Sequence, residues 1–307
     1  MFSKKTLAIL KIRAKLLQAA RFWLDQNGYV EMHGPTIVPA VGDWPGYFEV
    51  KYFDKKAYLT QGLQPYSNAF LAHLNKIYTI APVFRAEKVK TNRHLAEYWR
   101  IEVAQNCDLE TIIGVQEELV AHIIGSLATE ATEEFGYFER EIGDLLKVKK
   151  PFPRLTYDEV IDIFQKDGLN VSWGQRLDWE LEAKLSRKFD RPFFITKFPM
   201  GVDTLFFESD PQRPELTLSF DLFAPEGYGE MGSGAQMTTK KRTLLRKMQT
   251  ENIDPADRQW YMSFIHECSG SHSGFMMGVE RIIQSICRID HISDAVAFPR
   301  IIDNIYP

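Results

Sequence analysis

Residues Phe84 to Trp99 read FRAEKVKTNRHLAEYW, with Arg85, Glu87, Lys88, Lys90, Arg93, His94 and Glu97 crowded between apolar ends. On a surface helix such charges keep to one face, and here they do not. The residues before them, KIYTIAPVF, alternate as a strand, so the stretch reads as a strand, a loop (KVKTN) and a returning strand. Two residues apart in extended chain, Arg85 and Glu87 point the same way. Arginine's planar fork suits a pair of phosphate or carboxylate oxygens. The returning Arg93, His94 and Tyr98 add cations for a polyphosphate and an aromatic ring for a base. A salt-bridged hairpin with no ligand is the competing interpretation.

Working outward, Leu7, Leu10, Leu17 and Leu24 recur at helical spacing between a cap at Ser3 or Thr6 and a stop at Gly28. GYVEMHGPTIV, Gly28 to Val38, reads as a strand interrupted by Pro35, which cannot donate to a sheet. VKYFDKKAYLTQGL reads as a hairpin turning at Asp54-Lys55-Lys56. Leu109 to Phe135 is expected to be helical, Glu139 to Pro153 a charged connector, and Thr156 to Gly168 a short capped helix. RPFFITKFPM, TLFFE and LTLSFDLFAPEGYGEMGSGAQM read as strands, and SGFMMGVERIIQSICRI as a strand running into a helix. No repeat or linker appears. The expectation is one α+β domain over 1–307, an antiparallel sheet flanked by helices.

A net charge of −4 argues against a strong electrostatic field for duplex nucleic acid or an anionic membrane. Cys107, Cys268 and Cys287 lack paired metal spacing and suggest reduced thiols. No apolar run reaches the ~18 residues of a membrane span, so a cytoplasmic protein with no membrane partner is expected.

The opening stretch resembles the second signature motif of class II aminoacyl-tRNA synthetases. GFMMGVERI, Gly274 to Ile282, resembles their third motif and GYVEMHGP their first, in the right order. Within that class SFDL, EMGSGAQ, SHSGF and AVAFPR resemble the aspartyl and asparaginyl branch. The resemblance implies dimerisation through Gly28–Pro35 and an ATP site. In it, Arg85 holds the α-phosphate and the carboxylate being activated, Glu87 reads the adenine amino group, and His94 and Arg281 meet the γ-phosphate. Tyr98 stacks on adenine, and Glu230 and Ser233 hold Mg²⁺, so ATP and Mg²⁺ are the implied cofactors and Arg85 and Arg281 the catalytic residues.

Several positions depart from that pattern. Ser67 and Met237 stand where cations of the relatives fix the substrate side chain, and Asp203 stands where a basic residue is expected. One helix occupies the place of the relatives' N-terminal anticodon-binding barrel. An opposite charge at ~4 Å contributes roughly 4 kcal/mol at an effective dielectric near 20, so losing both cations would disable ordinary aspartate binding. The expectation drawn from this is aspartate bound in reverse, its side-chain carboxylate at Arg85 and its ammonium near Asp203 or Asp43. Gln61, Gln64, Ser67, Ser233 and Gln236 would complete the substrate site. On this basis the chain resembles the archaeal type of ammonia-dependent asparagine synthetase, an aspartate–ammonia ligase releasing AMP and pyrophosphate, with L-aspartate and ammonia as partners and tRNA not expected. Two alternatives stand beside it: a truncated aminoacyl-tRNA synthetase charging a tRNA or a protein, with KKRTLLRK (Lys240 to Lys247) as its basic face, and a non-catalytic dimeric regulator. Arg100 is a candidate for the substrate α-carboxylate against a surface ion pair, and His272 reads as a hydrogen-bonded structural histidine.

Overall fold

The computed structural model describes residues 3–39, 46–202, 206–250, 254–255, 259–264 and 270–306. Asp43, Asp203 and Cys268 lie outside them.

The chain opens with helix α1 (Lys4–Gln26), capped by the Ser3 side chain, which accepts from the Thr6 N–H. Two short strands follow, β1 (Val30–Glu31) and β2 (Ile37–Val38), then the hairpin β3 (Glu49–Tyr52) and β4 (Lys55–Leu59). Next come α2 (Gln64–Phe70), β5 (Lys76–Phe84), β6 (Glu97–Gln105), α3 (Leu109–Glu130), α4 (Thr132–Phe135) and α5 (Ile142–Leu146). β7 (Arg154–Thr156), α6 (Tyr157–Lys166), α7 (Trp179–Ser186), β8 (Phe193–Thr196), β9 (Ser219–Ala224) and β10 (Gly229–Met237) form the middle. The end comprises α8 (Lys241–Thr250), α9 (Gln259–Phe264), β11 (His272–Gly278) and α10 (Val279–Ile286).

Eight strands make one sheet in the order β1-β5-β6-β11-β10-β9-β8-β7. Its edge pairs β1/β5 and β7/β8 are parallel, and all other neighbours are antiparallel. β2, β4 and β3 form a separate small sheet. The expected α+β architecture is therefore present.

Local departures have local causes. The expected strand from Gly28 to Val38 splits into β1 and β2 in different sheets, with Gly34 and Pro35 between them. The hairpin turns at Phe53-Asp54, since Tyr52 pairs with Lys55 and Phe53 takes a φ of 56°. The expected helix to Phe135 breaks at Ala131, whose φ is −120°. The Thr156 helix is as expected, with a reciprocal cap between Thr156 and Glu159.

Cross-strand register sorts the two faces of the sheet. Phe220, Gly234, Phe275, Val103 and Tyr78 lie in one row, and its aromatic and aliphatic members join the core under α1, α3 and α10. α3 is, among the described residues, the one helix long and apolar enough to cross a membrane. It buries Ile112, Ile113, Leu119, Val120, Ile123 and Leu127 in this core. Gly234 has no room for a side chain: a Cβ would lie 2.4 Å from the Phe220 ring and 2.7 Å from the Gly274 carbonyl oxygen. A second core gathers α6, α7 and β8 around Tyr157, Phe164 and Phe193.

On the opposite face the next row runs Asp221, Ser233, Met276, Glu102, Thr79 across five strands. This face is the floor of a cleft of about 1050 Å³.

Candidate active site

Arg85 follows β5 directly, and its N–H donates to the Ala96 carbonyl at 2.9 Å, extending the strand pairing by one residue. The next N–H, of Ala86, donates to the Gly46 carbonyl at 2.7 Å. Gly46 has a φ of +86°, and a Cβ there would lie 3.0 Å from the Ala86 backbone, so a glycine lets the two segments close over the cleft. Arg85 and Glu87 share a side as the spacing suggested, Nη2 to Oε1 at 2.7 Å. Both line the cleft with His94, Tyr98, Glu230, Ser233 and Arg281.

A break in β10 brings the oxygens together. The register of β10 against β9 slips between Glu230 and Gly232, so Glu230 faces Phe223 while Ser233 faces Asp221. Three residues apart, Glu230 and Ser233 thus emerge on one face, with the Asp221 carboxylate beside them. Asp221 was not singled out from the sequence, although the alternation in SFDL sets Ser219 and Asp221 on one face.

Glu230 is held on both sides. Arg281 Nη1 donates to its carboxylate at 2.9 Å and to its carbonyl at 3.1 Å. Arg93 Nη2 donates to the same carbonyl at 2.7 Å, while Arg93 Nη1 pairs with Glu182 of α7 at 2.6 Å. The Glu182 carboxylate also accepts the Glu230 N–H at 3.2 Å. Burial works against ionisation of Glu230, but Arg281, Arg93 and Arg85 outweigh it and hold the carboxyl below its usual range. Arg93, grouped with the phosphate-binding cations at the sequence level, therefore has a structural partner. Gly229 makes room for it, since a Cβ there would lie 2.5 Å from Arg93 Nη1.

His94 is pushed down to about 4, first by burial and then by Arg281, Arg85 and Arg93. Its Nδ1 is hydrogen-bonded to the Thr91 hydroxyl. It enters the site as a neutral imidazole, and an arriving anion would favour its protonation.

At the far end of the floor part of the lining is neutral, although Arg100 also lines the cleft beside Gln61. Gln61 and Gln64 reach the cleft, and Gln61 Nε2 donates to the Gly46 carbonyl at 3.1 Å, leaving its buried Oε1 without a partner. Met237 also lines this end and is buried. Two expected substrate residues are misplaced. Gln236 lies on the other face of β10, opposite Ser273, where its Oε1 accepts the Leu109 N–H at 3.2 Å. Ser67 is turned into its own helix, its hydroxyl donating to the Gln64 carbonyl at 3.0 Å.

Arg100 is not a surface ion pair. It is mostly buried at the cleft wall, donating to the Gln61 carbonyl and the Tyr98 hydroxyl, each at 2.9 Å, with Glu102 at 3.4 Å. Cys107 and Cys287 are free thiols that burial pushes up to about 12, which makes neither a nucleophile at neutral pH.

His272 also differs from expectation: it is buried beside Met237 in the sheet register, and among the described residues neither ring nitrogen has a hydrogen-bond partner. Burial pushes it down to about 4 from 6.5. A histidine so depressed stays neutral in the fold while the unfolded chain takes a proton below pH 6.5. Stability is therefore full above pH 6.5 and falls as pH drops from 6.5 to 4. Its share of that loss is on the order of 2–3 kcal/mol. His272→Gln is expected to flatten the slope of denaturant-derived stability between pH 6.5 and 4. An unchanged slope would show that His272 is not its source.

Across 1–302 the chain matches the profile described as tRNA synthetases class II (D, K and N). It belongs to that family. The asparagine–tRNA ligases of Pyrococcus horikoshii and Pyrococcus furiosus are each 40% identical over 305 residues, covering 99% of this chain and 70% of theirs. The structure of asparaginyl-tRNA synthetase from Pyrococcus horikoshii complexed with asparaginyl-adenylate superposes with a TM-score of 0.96 at 39% identity. It too is matched over 99% of this chain and 70% of that one. The Entamoeba histolytica asparaginyl-tRNA synthetase with asparaginyl-adenylate gives 0.91 at 27% identity, over 98% and 69% of the respective chains.

These relatives overturn the expected activity. They are ligases of tRNA, so an aspartate–ammonia ligase making asparagine is replaced by a tRNA-synthetase-type ligase. L-aspartate and ammonia fall as the expected partners, and so does the expectation that tRNA is not one.

Proposed function

We propose that the chain activates an amino acid with ATP as the aminoacyl adenylate and passes it to a tRNA, with asparagine as the amino acid. In this proposal residues 1–307 work as one catalytic unit. The observation that carries it is the convergence, on one face of the sheet, of Arg85, Arg281, Glu230, Ser233 and Asp221, in a chain 40% identical to asparagine–tRNA ligases.

The donor set fits a magnesium-bound triphosphate. Mg²⁺ takes one or two carboxylates and leaves its other positions to phosphates and water. Among the described residues no cluster of three or more His, Cys, Asp or Glu forms a closed metal cage. Glu230, Ser233 and Asp221 would hold the ion, which when bound neutralises phosphate charge. The remaining chemistry belongs to the chain's own groups. Arg85 would bridge the amino-acid carboxylate and the α-phosphate, offsetting the repulsion between two anions and aligning them. A carboxylate oxygen then bonds to the α-phosphorus as the bond to pyrophosphate breaks. Arg281 and His94 would meet the departing phosphates, and Glu87 and Tyr98 the adenine. The tRNA's terminal ribose hydroxyl would next take the acyl group and release AMP.

The loss of cations at Ser67 and Met237 favours asparagine over aspartate, while Arg100, which also lines the cleft, is left for the α-carboxylate. With Met237 in place of a cation and Ser67 turned away, a substrate carboxylate lacks an attraction worth roughly 4 kcal/mol. A carboxamide forgoes only about 1 kcal/mol for a missing neutral hydrogen bond. The test combines ATP–pyrophosphate exchange with charging of total tRNA. Asparagine is expected to drive exchange at least ~100-fold better than aspartate and to appear on tRNA in acid-precipitable form. Exchange with neither amino acid, or asparagine-driven exchange that never charges tRNA, would defeat the proposal.

A further inference from the structure

Behind the wall that carries Arg281, a residue from the N-terminal helix reaches into the sheet. Arg13 of α1 pairs with Glu280 of α10, Nη1 to Oε1 at 2.6 Å, with side chains 13% and 2% exposed. The other carboxylate oxygen of Glu280 accepts the Trp99 N–H at 3.0 Å. The Arg13 guanidinium also lies over the Trp99 ring, 5.6 Å from its centroid.

The register explains why a side chain is needed at this point. β11 and β6 pair as far as Gly278 and Arg100, and at Val279 the chain turns into α10. The N–H of Trp99, one residue beyond, no longer faces a strand, and Glu280 replaces the missing carbonyl. On either side of this junction stand residues of the nucleotide site: Tyr98 next to Trp99, and Arg281 next to Glu280. With both carboxylate oxygens engaged, the spacing between the end of β6 and the start of α10 is fixed. Arg13 completes that arrangement from a helix 267 positions away in sequence.

We propose that Arg13 is a positioning residue for ATP: through Glu280 it sets the distance between the adenine-facing Tyr98 and the phosphate-facing Arg281. The assignment rests on the adenylate-forming function proposed above. Its effect falls mainly on the nucleotide, because Tyr98 and Arg281 adjoin the junction directly, whereas Gln61 is reached only through Arg100, which donates to both Tyr98 and the Gln61 carbonyl.

The experiment compares wild type, Arg13→Met and Arg13→Lys by titration with Mg-ATP and by Michaelis constants in ATP–pyrophosphate exchange. Partners that orient metal-binding residues typically contribute 10–100-fold, and the same scale is expected for Arg13. Arg13→Met should therefore weaken ATP binding at least ~10-fold with the amino-acid KM within about twofold. Arg13→Lys keeps the buried charge but loses the planar fork and the stacking, so a near-wild-type melting temperature with an intermediate loss of ATP affinity is expected. A fall in melting temperature with ATP affinity unchanged in Arg13→Lys would reduce Arg13 to a structural residue. So would a parallel rise in both Michaelis constants. A wild-type chain that binds no ATP would overturn the adenylate-forming function and this assignment together, whereas normal wild-type exchange with indifferent variants overturns this assignment alone.

Discussion

Arg85→Ala is expected to lower asparagine-dependent ATP–pyrophosphate exchange by ~10³-fold or more while leaving the unfolding free energy within about 1 kcal/mol of wild type. The large effect follows from the repulsion it relieves. A carboxylate and an α-phosphoryl group must approach to bonding distance, and one well-placed cation at ~4 Å contributes roughly 4 kcal/mol at an effective dielectric near 20. That energy is close to three powers of ten in rate. The small effect on folding follows from its location, because the Arg85 side chain lines the cleft, so its removal widens a space already open to solvent and leaves no void in the core. Arg85→Lys should recover only part of the rate, since a point charge cannot hold two oxygens in a fixed plane. A loss confined to the KM for ATP, with turnover intact, would show that Arg85 binds without acting in the transition state.

Arg93→Ala should have the opposite profile, with a loss of ~3–5 kcal/mol in stability measured by denaturant unfolding. Arg93 is 7% exposed and its partner Glu182 is 15% exposed, so removing one leaves a charge stranded in the protein. ATP affinity should fall as well, because the same guanidinium holds the Glu230 carbonyl and its partner holds the Glu230 N–H. The double variant Arg93→Ala/Glu182→Ala should be less destabilised than the sum of the single ones, since no lone charge remains. Strict additivity would show that the two residues act independently.

The parts of this molecule legible in the sequence are those whose cause is local. Arg85 and Glu87 sit two apart at a strand end, and the structure brings their side chains together. The Thr156 cap and the turn of β11 into α10 depend on neighbours in the chain and follow the sequence pattern. The misplacements come from long-range geometry. The EMGSGAQ resemblance sets Gln236 with the substrate, yet beyond the slip in β10 it lies on the face opposite to Ser233, and its amide meets the start of α3. The role of Arg93 depends on Glu182, 89 residues away, which no local pattern could reveal. The choice between ammonia and tRNA as acceptor was inferred from single substitutions such as Met237, and these say less about the acceptor than overall similarity to tRNA ligases does.

Residues 90–96 are held by residues 290–303. The Ala96 N–H donates to the Arg300 carbonyl at 2.7 Å, the Ile292 N–H to the Asn92 carbonyl at 2.9 Å, and the Asn92 side chain to the Asp290 carbonyl at 3.1 Å. Lys90 reaches Asp303 at 2.5 Å. A ribosome makes residues 84–99 long before residues 290–303, and domains assemble from the N-terminal side as synthesis proceeds. Residues 84–99 must therefore wait, unfastened, until residues 290–303 have emerged. On the proposed function, a nascent chain that still lacks residues 290–303 would not hold ATP in its finished grip.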